Sequence, residues 1–117
     1  MRWQVLMNDI SSWSTETFGN KQRNPAILYH LKKEVEELIE ALEEPISVEF
    51  AEYQKQRRRA VLEYADCFIL LLDSADKFHL TANQILSACI EKLEINKART
   101  WGEPDANGVI EHIKDQP

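Results

Sequence analysis

The sequence predicts an all-α fold. Two observations carry that expectation. Glycine and proline are scarce, at 3 and 4 of 117 residues, and apolar residues recur every three or four positions in four separate segments. A 44% hydrophobic share beside 29% charged residues supplies a compact core and argues against disorder. The length predicts one domain over residues 1–117, and a core of this size favours oligomerisation.

The first segment runs from about Trp3 to Thr17 and stops at Phe18-Gly19-Asn20. Its stripe is Trp3, Leu6, Met7, Ile10 and Trp13. After a basic loop, Asn24-Pro25 reads as an N-cap with proline in the first turn. The second helix then carries Ile27, Leu31, Val35, Leu38 and Leu42 to about Glu43, ahead of Pro45. A third, long helix is expected from near Ser47 to about Phe78. Its first half is polar through Arg57-Arg58-Arg59, and Ala60 to Leu72 is apolar almost all round, as in a helix surrounded by protein. Thr81-Ala82-Asn83-Gln84 forms a capping box that opens a fourth helix, which reaches about Thr100. The tail from Trp101 to Pro117 reads as an ordered loop closed by one short turn of helix. The architecture expected is a four-helix bundle.

Charge and cysteine usage narrow the class of function. Twenty acidic against 14 basic residues give a net charge of −6, which disfavours nucleic acid as a partner. No run approaches the roughly 20 apolar residues of a membrane span. Met1-Arg2-Trp3-Gln4 lacks the apolar core of a signal peptide. Cys67 and Cys89 sit inside apolar helical patterns and read as buried free thiols. A soluble cytoplasmic protein is expected.

The carboxylates are more informative. In the second helix Glu34 lies on the margin of the apolar arc, with Glu37 and His30 on the same flank, while Glu36, Glu40 and Glu43 point toward water. On the third helix Glu63, Asp66 and Asp73 fall within about 80° of one another, with Lys77 in the same arc. Buried acids on one stripe require a positive partner. Three explanations stand: cations from another helix, a wet face, or metal. Glu34/Glu37 and Glu63/Asp66 are each spaced i, i+3, so each pair lies side by side. Two such pairs facing each other form an all-oxygen cage that selects Mg2+ first and Mn2+ next. On the fourth helix Lys92, Asn96 and Arg99 fall within about 60°. They suit phosphate oxygens, although basic residues near a helix C-terminus also meet the macrodipole. Together the two clusters point to phosphoryl chemistry on a metal-bound nucleotide.

These motifs resemble the all-α nucleoside triphosphate pyrophosphohydrolases, the MazG-like and dimeric dUTPase superfamily. E-x-x-E here reads Glu34-Val35-Glu36-Glu37, and E-x-x-D reads Glu63-Tyr64-Ala65-Asp66. The basic segment Lys92 to Arg99 follows. Over nearly the whole chain, including His30 to Leu38, Asn96 to Trp101 and Glu111-His112-Ile113, the sequence is similar to a phage branch. That branch comprises dATP/dGTP diphosphohydrolases and includes the MazZ enzymes of the 2-aminoadenine pathway. Lys33 stands where the fuller MazG pattern has a further glutamate.

The resemblance implies hydrolysis of a purine (deoxy)nucleoside triphosphate, most closely dGTP, to monophosphate and pyrophosphate. It also implies a homodimer or homotetramer with sites at subunit interfaces. Glu34, Glu37, Glu63 and Asp66 become the expected catalytic and metal-binding residues, holding two or three Mg2+ or Mn2+ ions. Lys92, Asn96 and Arg99 become the expected substrate ligands, joined by Lys77 and Trp101. Lys77 has a plainer reading as an i, i+4 partner of Asp73. Trp3, Trp13, Phe18 and Trp101 are candidate stacking surfaces for the base, although Trp3 and Trp13 fit the packing core better. His79 is assigned to the turn before the fourth helix.

Two other classes compete. A di-iron carboxylate bundle requires E-x-x-H pairs, and the sequence contains none. A non-catalytic helical interaction module would leave the acids solvated.

Overall fold

A computed structural model describes residues 2–19 and 24–114. It is all-α, with helices α1 (Arg2–Phe18), α2 (Asn24–Glu43), α3 (Phe50–Lys77) and α4 (Ala82–Ala98), and no strand among the described residues. The chain forms two compact units, Met1–Ala82 and Asn83–Pro117. No helix among the described residues is long and apolar enough to cross a membrane.

In the first unit α3 packs against both α1 and α2. Helix α1 stops at Gly19, whose φ of +70° takes the chain out of the helix at a position that favours glycine. Asn20 and the basic loop expected after it lie outside the described residues. Helix α2 begins at Asn24, whose Oδ1 accepts a hydrogen bond from Ser74 Oγ at 2.6 Å.

Helix α3 starts at Phe50 rather than near Ser47. The reason lies in Gln56, which holds the preceding residues as a loop. Ser47 N–H donates to Gln56 Oε1, and Gln56 Nε2 donates to the Pro45 carbonyl, both at 2.9 Å. At its other end α3 closes in a Schellman motif. Leu80 N–H reaches Ala75 O, and His79 N–H reaches Asp76 O. His79 occupies the left-handed position with φ +65°, in the turn where the sequence places it. Helix α4 then opens at Ala82, as the capping box predicts, and Ala82 N–H donates to Gln4 Oε1.

Among the described residues the buried core is small. It comprises Met7 and Ile10 of α1, Leu72 of α3 and Ala82, with Ile69 and Ala75 packed against it; Ile27 of α2 is buried as well. Two sequence expectations are corrected here. The apolar half of α3 is not surrounded by this chain: Val61, Leu62, Phe68 and Leu71 are 49–55% exposed. Trp3 and Trp13 are not core residues, because α1 turns Met7 and Ile10 inward and leaves the indoles partly open.

In the second unit α4 ends at Ala98, and the following segment folds back on itself. Trp101 and His112 form an isolated antiparallel bridge. Gly102 N–H donates to Glu111 O, and Ile113 N–H donates to Thr100 O. Asp105 Oδ1 accepts from the amides of Asn107 and Val109, which closes the turn. The expected short turn of helix does not occur over residues 101–114, where these pairings engage the backbone; residues 115–117 lie outside the described residues. Both cysteines are free as expected. Neither is buried: Cys67 is partly exposed and Cys89 exposed.

Candidate functional site

The site grows from the α2–α3 pair. The i, i+3 spacing on each helix turns its two acids to one side, and the packing of α2 on α3 brings three of the four together. One carboxylate oxygen from each of Glu34, Glu37 and Glu63 lies within 4.8 Å of the others. Asp66 stands outside that triad but close enough for its charge to act on Glu34.

Electrostatics in the cluster are unbalanced. Burial pushes the Glu34 carboxyl above its ordinary value. A hydrogen bond with Glu37 and the negative charges of Glu37 and Asp66 push it further, against a smaller opposing effect of His30. His30 Nε2 lies 3.2 Å from Glu34 Oε1. Glu63 Oε2 is buried without any hydrogen-bond partner. Among the described residues of the first unit, no lysine or arginine pairs with Glu37, Glu63 or Asp66. A buried orphan carboxylate oxygen beside two converging acids is a costly arrangement without a cation. The donor set fits a hard divalent ion such as Mg2+ or Mn2+.

Asp73, the third acid on the α3 stripe, has a different fate. It is buried and fully engaged, accepting from Ser14 Oγ at 2.6 Å and from Lys77 Nζ at 2.9 Å. Lys77 Nζ also lies 3.4 Å from Ser11 Oγ. The structure thus places Lys77, a sequence-predicted substrate ligand, in the i, i+4 ion pair.

A cleft of about 410 Å3 opens beside the carboxylates, within the usual size range of small-molecule sites. Ile10, Trp13, Phe18, Ile69 and Leu70 form its apolar walls. Asp9, His30, Glu34, Asp66 and Asp73 form its polar part. The Trp13 and Phe18 rings meet edge to face at 5.5 Å. Asp9 escaped the sequence reading. Its signal was its position one turn before Trp13, which puts the two on one face of α1.

The second unit gathers the remaining predicted ligands around Asn96. Its side-chain oxygen accepts from Arg99 Nη1 at 3.2 Å, and its carbonyl accepts from the Trp101 indole at 2.9 Å. Lys92 is exposed on the same helix. His112 packs edge to face on Trp101, with 6.0 Å between ring centroids.

A family model described as dATP/dGTP pyrophosphohydrolase matches residues 6–117. The Eaa protein of Salmonella phage P22 is 46% identical over 56 residues, which are 48% of this chain and 18% of that relative. The chain therefore spans under a fifth of the curated relative's length. No solved structure matches it.

Proposed function

The chain belongs to the dATP/dGTP pyrophosphohydrolase family, and we propose that it hydrolyses purine deoxynucleoside triphosphates to the monophosphate and pyrophosphate. The observation that carries this reading is the convergence of Glu34, Glu37 and Glu63 around an orphaned buried oxygen, at the edge of a cleft with aromatic walls.

Glu34, Glu37, Glu63 and Asp66 would hold two or three Mg2+ or Mn2+ ions. Bound divalent ions supply positive charge to the triphosphate oxygens and acidify water. One carboxylate freed from the ions, Glu34 or Glu37, accepts the proton of the attacking water. His30 orients the Glu34 carboxylate. The water oxygen bonds to the α-phosphorus, the bond from that phosphorus to the bridging oxygen breaks, and pyrophosphate departs. Lys92, Asn96 and Arg99 bind phosphate oxygens in this proposal on side-chain chemistry alone, with Trp101 beside them. A preference for dGTP would yield dGMP, and resemblance to the MazZ-containing branch points to phage 2-aminoadenine metabolism as its use.

The half-exposed Val61, Leu62, Phe68 and Leu71 support a homodimer or homotetramer, because such apolar surface is costly in water. Light scattering on the purified chain tests that; a monomer at micromolar concentration goes against it. The activity is tested by incubating each nucleoside triphosphate with Mg2+ or Mn2+ and separating products. Monophosphate with pyrophosphate is expected; diphosphate with phosphate, or no turnover, overturns the reading. Glu37→Gln and Asp66→Asn abolish turnover while leaving helicity intact.

A further inference from the structure

The cleft beside the carboxylates holds one acid that the chemistry above leaves unused. Asp73 is saturated by Ser14 and Lys77. Glu34 belongs to the triad, and Asp66 acts on it electrostatically. Asp9 differs from all three. It lines the cleft from α1, it is exposed, and it lies one turn from Trp13, whose ring forms the adjacent wall.

We propose that Asp9 reads the Watson–Crick edge of the purine and selects guanine over adenine. This deepens the proposed function and rests on it. An ionised carboxylate offers acceptors only. Guanine presents two adjacent donors on that edge, N1–H and the 2-amino group, and these match the two oxygens of Asp9. Adenine presents one donor, the 6-amino group, beside the N1 lone pair. That lone pair faces a carboxylate oxygen with no proton between them, so the second contact is repulsive.

Trp13 and Phe18 accept either purine face, because stacking on an aromatic ring discriminates little between bases. Discrimination therefore falls to the polar group at the edge of the cleft. A site built to bond a particular donor rejects the analogue that lacks it far more strongly than an apolar wall does. An asparagine at position 9 carries one acceptor and one donor group. That arrangement complements adenine, as asparagine does in bidentate readout of adenine elsewhere.

The test measures kcat/KM for dGTP, dITP and dATP with Mn2+ on the full chain and on Asp9→Asn and Asp9→Ala. Circular dichroism confirms that each variant folds, as expected for an exposed helix position. The wild-type chain prefers dGTP to dATP, and to dITP, which lacks the 2-amino group, by about tenfold or more. Asp9→Asn lowers the dGTP:dATP ratio at least about tenfold, partly by a gain on dATP. Asp9→Ala lowers dGTP turnover without that gain. A wild-type preference for dATP, or an Asp9→Asn ratio within about twofold of wild type, overturns the assignment of Asp9 while the pyrophosphohydrolase reading stands. Absence of turnover of every nucleotide by the wild-type chain overturns that reading, and this one with it.

Discussion

Ser14 of α1 donates its hydroxyl hydrogen to Asp73 of α3 at 2.6 Å, in a contact where both residues are buried. Lys77 completes the set from the next turn of α3. This contact ties α1 to α3 and holds Asp73, which lines the cleft. Ser14→Ala removes a hydrogen bond to a charged group and is expected to cost about 1.5–3 kcal/mol. Lys77→Met leaves a buried carboxylate without its cation. Its cost is about 2–4 kcal/mol, somewhat below that of a fully buried pair because Lys77 keeps part of its side chain in water. Urea unfolding measures both; a Lys77→Met protein as stable as wild type would show that the pair does not stabilise the fold.

Divalent ions are expected to raise the melting temperature, since a ligand that binds only the folded chain stabilises it by mass action, by about 2.7 kcal/mol at a hundredfold excess over Kd. Glu63→Gln is expected to remove most of that shift, because the orphaned Glu63 oxygen is the group with the most to gain from a cation. Thermal melts with and without Mn2+ decide it. An undiminished shift in Glu63→Gln places the ion elsewhere.

Glu34 sets a pH dependence in the metal-free protein. Burial and its acidic neighbours raise its pKa in the folded chain above the ordinary 4.5. The folded state therefore holds the proton more tightly than the unfolded state. Below the ordinary value both states are protonated and Glu34 is neutral in its effect. As pH rises from there through the folded pKa, stability falls, and it levels off above it. Glu34→Gln removes this loss. Its melting temperature should match wild type near pH 4 and exceed it at pH 8. A gap that is the same at both values would show that the effect is not titration of Glu34.

His79 occupies the left-handed position of the Schellman turn, which costs a non-glycine residue about 1–2 kcal/mol. His79→Gly should recover part of this, about 0.5–1 kcal/mol after the added freedom of glycine in the unfolded chain. Chemical denaturation checks the sign; a destabilised variant would mean that the imidazole stabilises the turn by more than the backbone strain costs.

The two thiols should react at different rates. Burial raises the Cys67 pKa, and the charges of Glu34, Asp66 and Glu63 raise it further, so little thiolate forms at neutral pH. Cys89 is exposed. Iodoacetamide at pH 7.5 followed by mass spectrometry should find Cys89 alkylated well before Cys67; the reverse order would contradict the electrostatics described for the carboxylate cluster.

Much of the fold was legible along the chain because its signals are local. The stops at Gly19 and before Pro45, the opening at Asn24 and the box at Thr81 are read within a few residues, and α2 and α4 begin where those signals place them. The start of α3 was misplaced because Gln56, nine residues beyond Ser47, holds the loop. For the tail, the pairing of Trp101 with His112 outweighed local helix preference.

Sequence by itself determined that the chain is helical and that Glu34, Glu37, Glu63 and Asp66 stand in side-by-side pairs, since helical spacing settles both. Only the tertiary structure decided that Glu34, Glu37 and Glu63 converge while Asp73 is drawn away to Ser14 and Lys77, and that Asp9 shares a cleft with Trp13 and Glu34. Those outcomes depend on how far each helix is rotated about its axis when it packs. Ser14 and Asp73 lie 59 positions apart, and no periodicity within either helix encodes that angle.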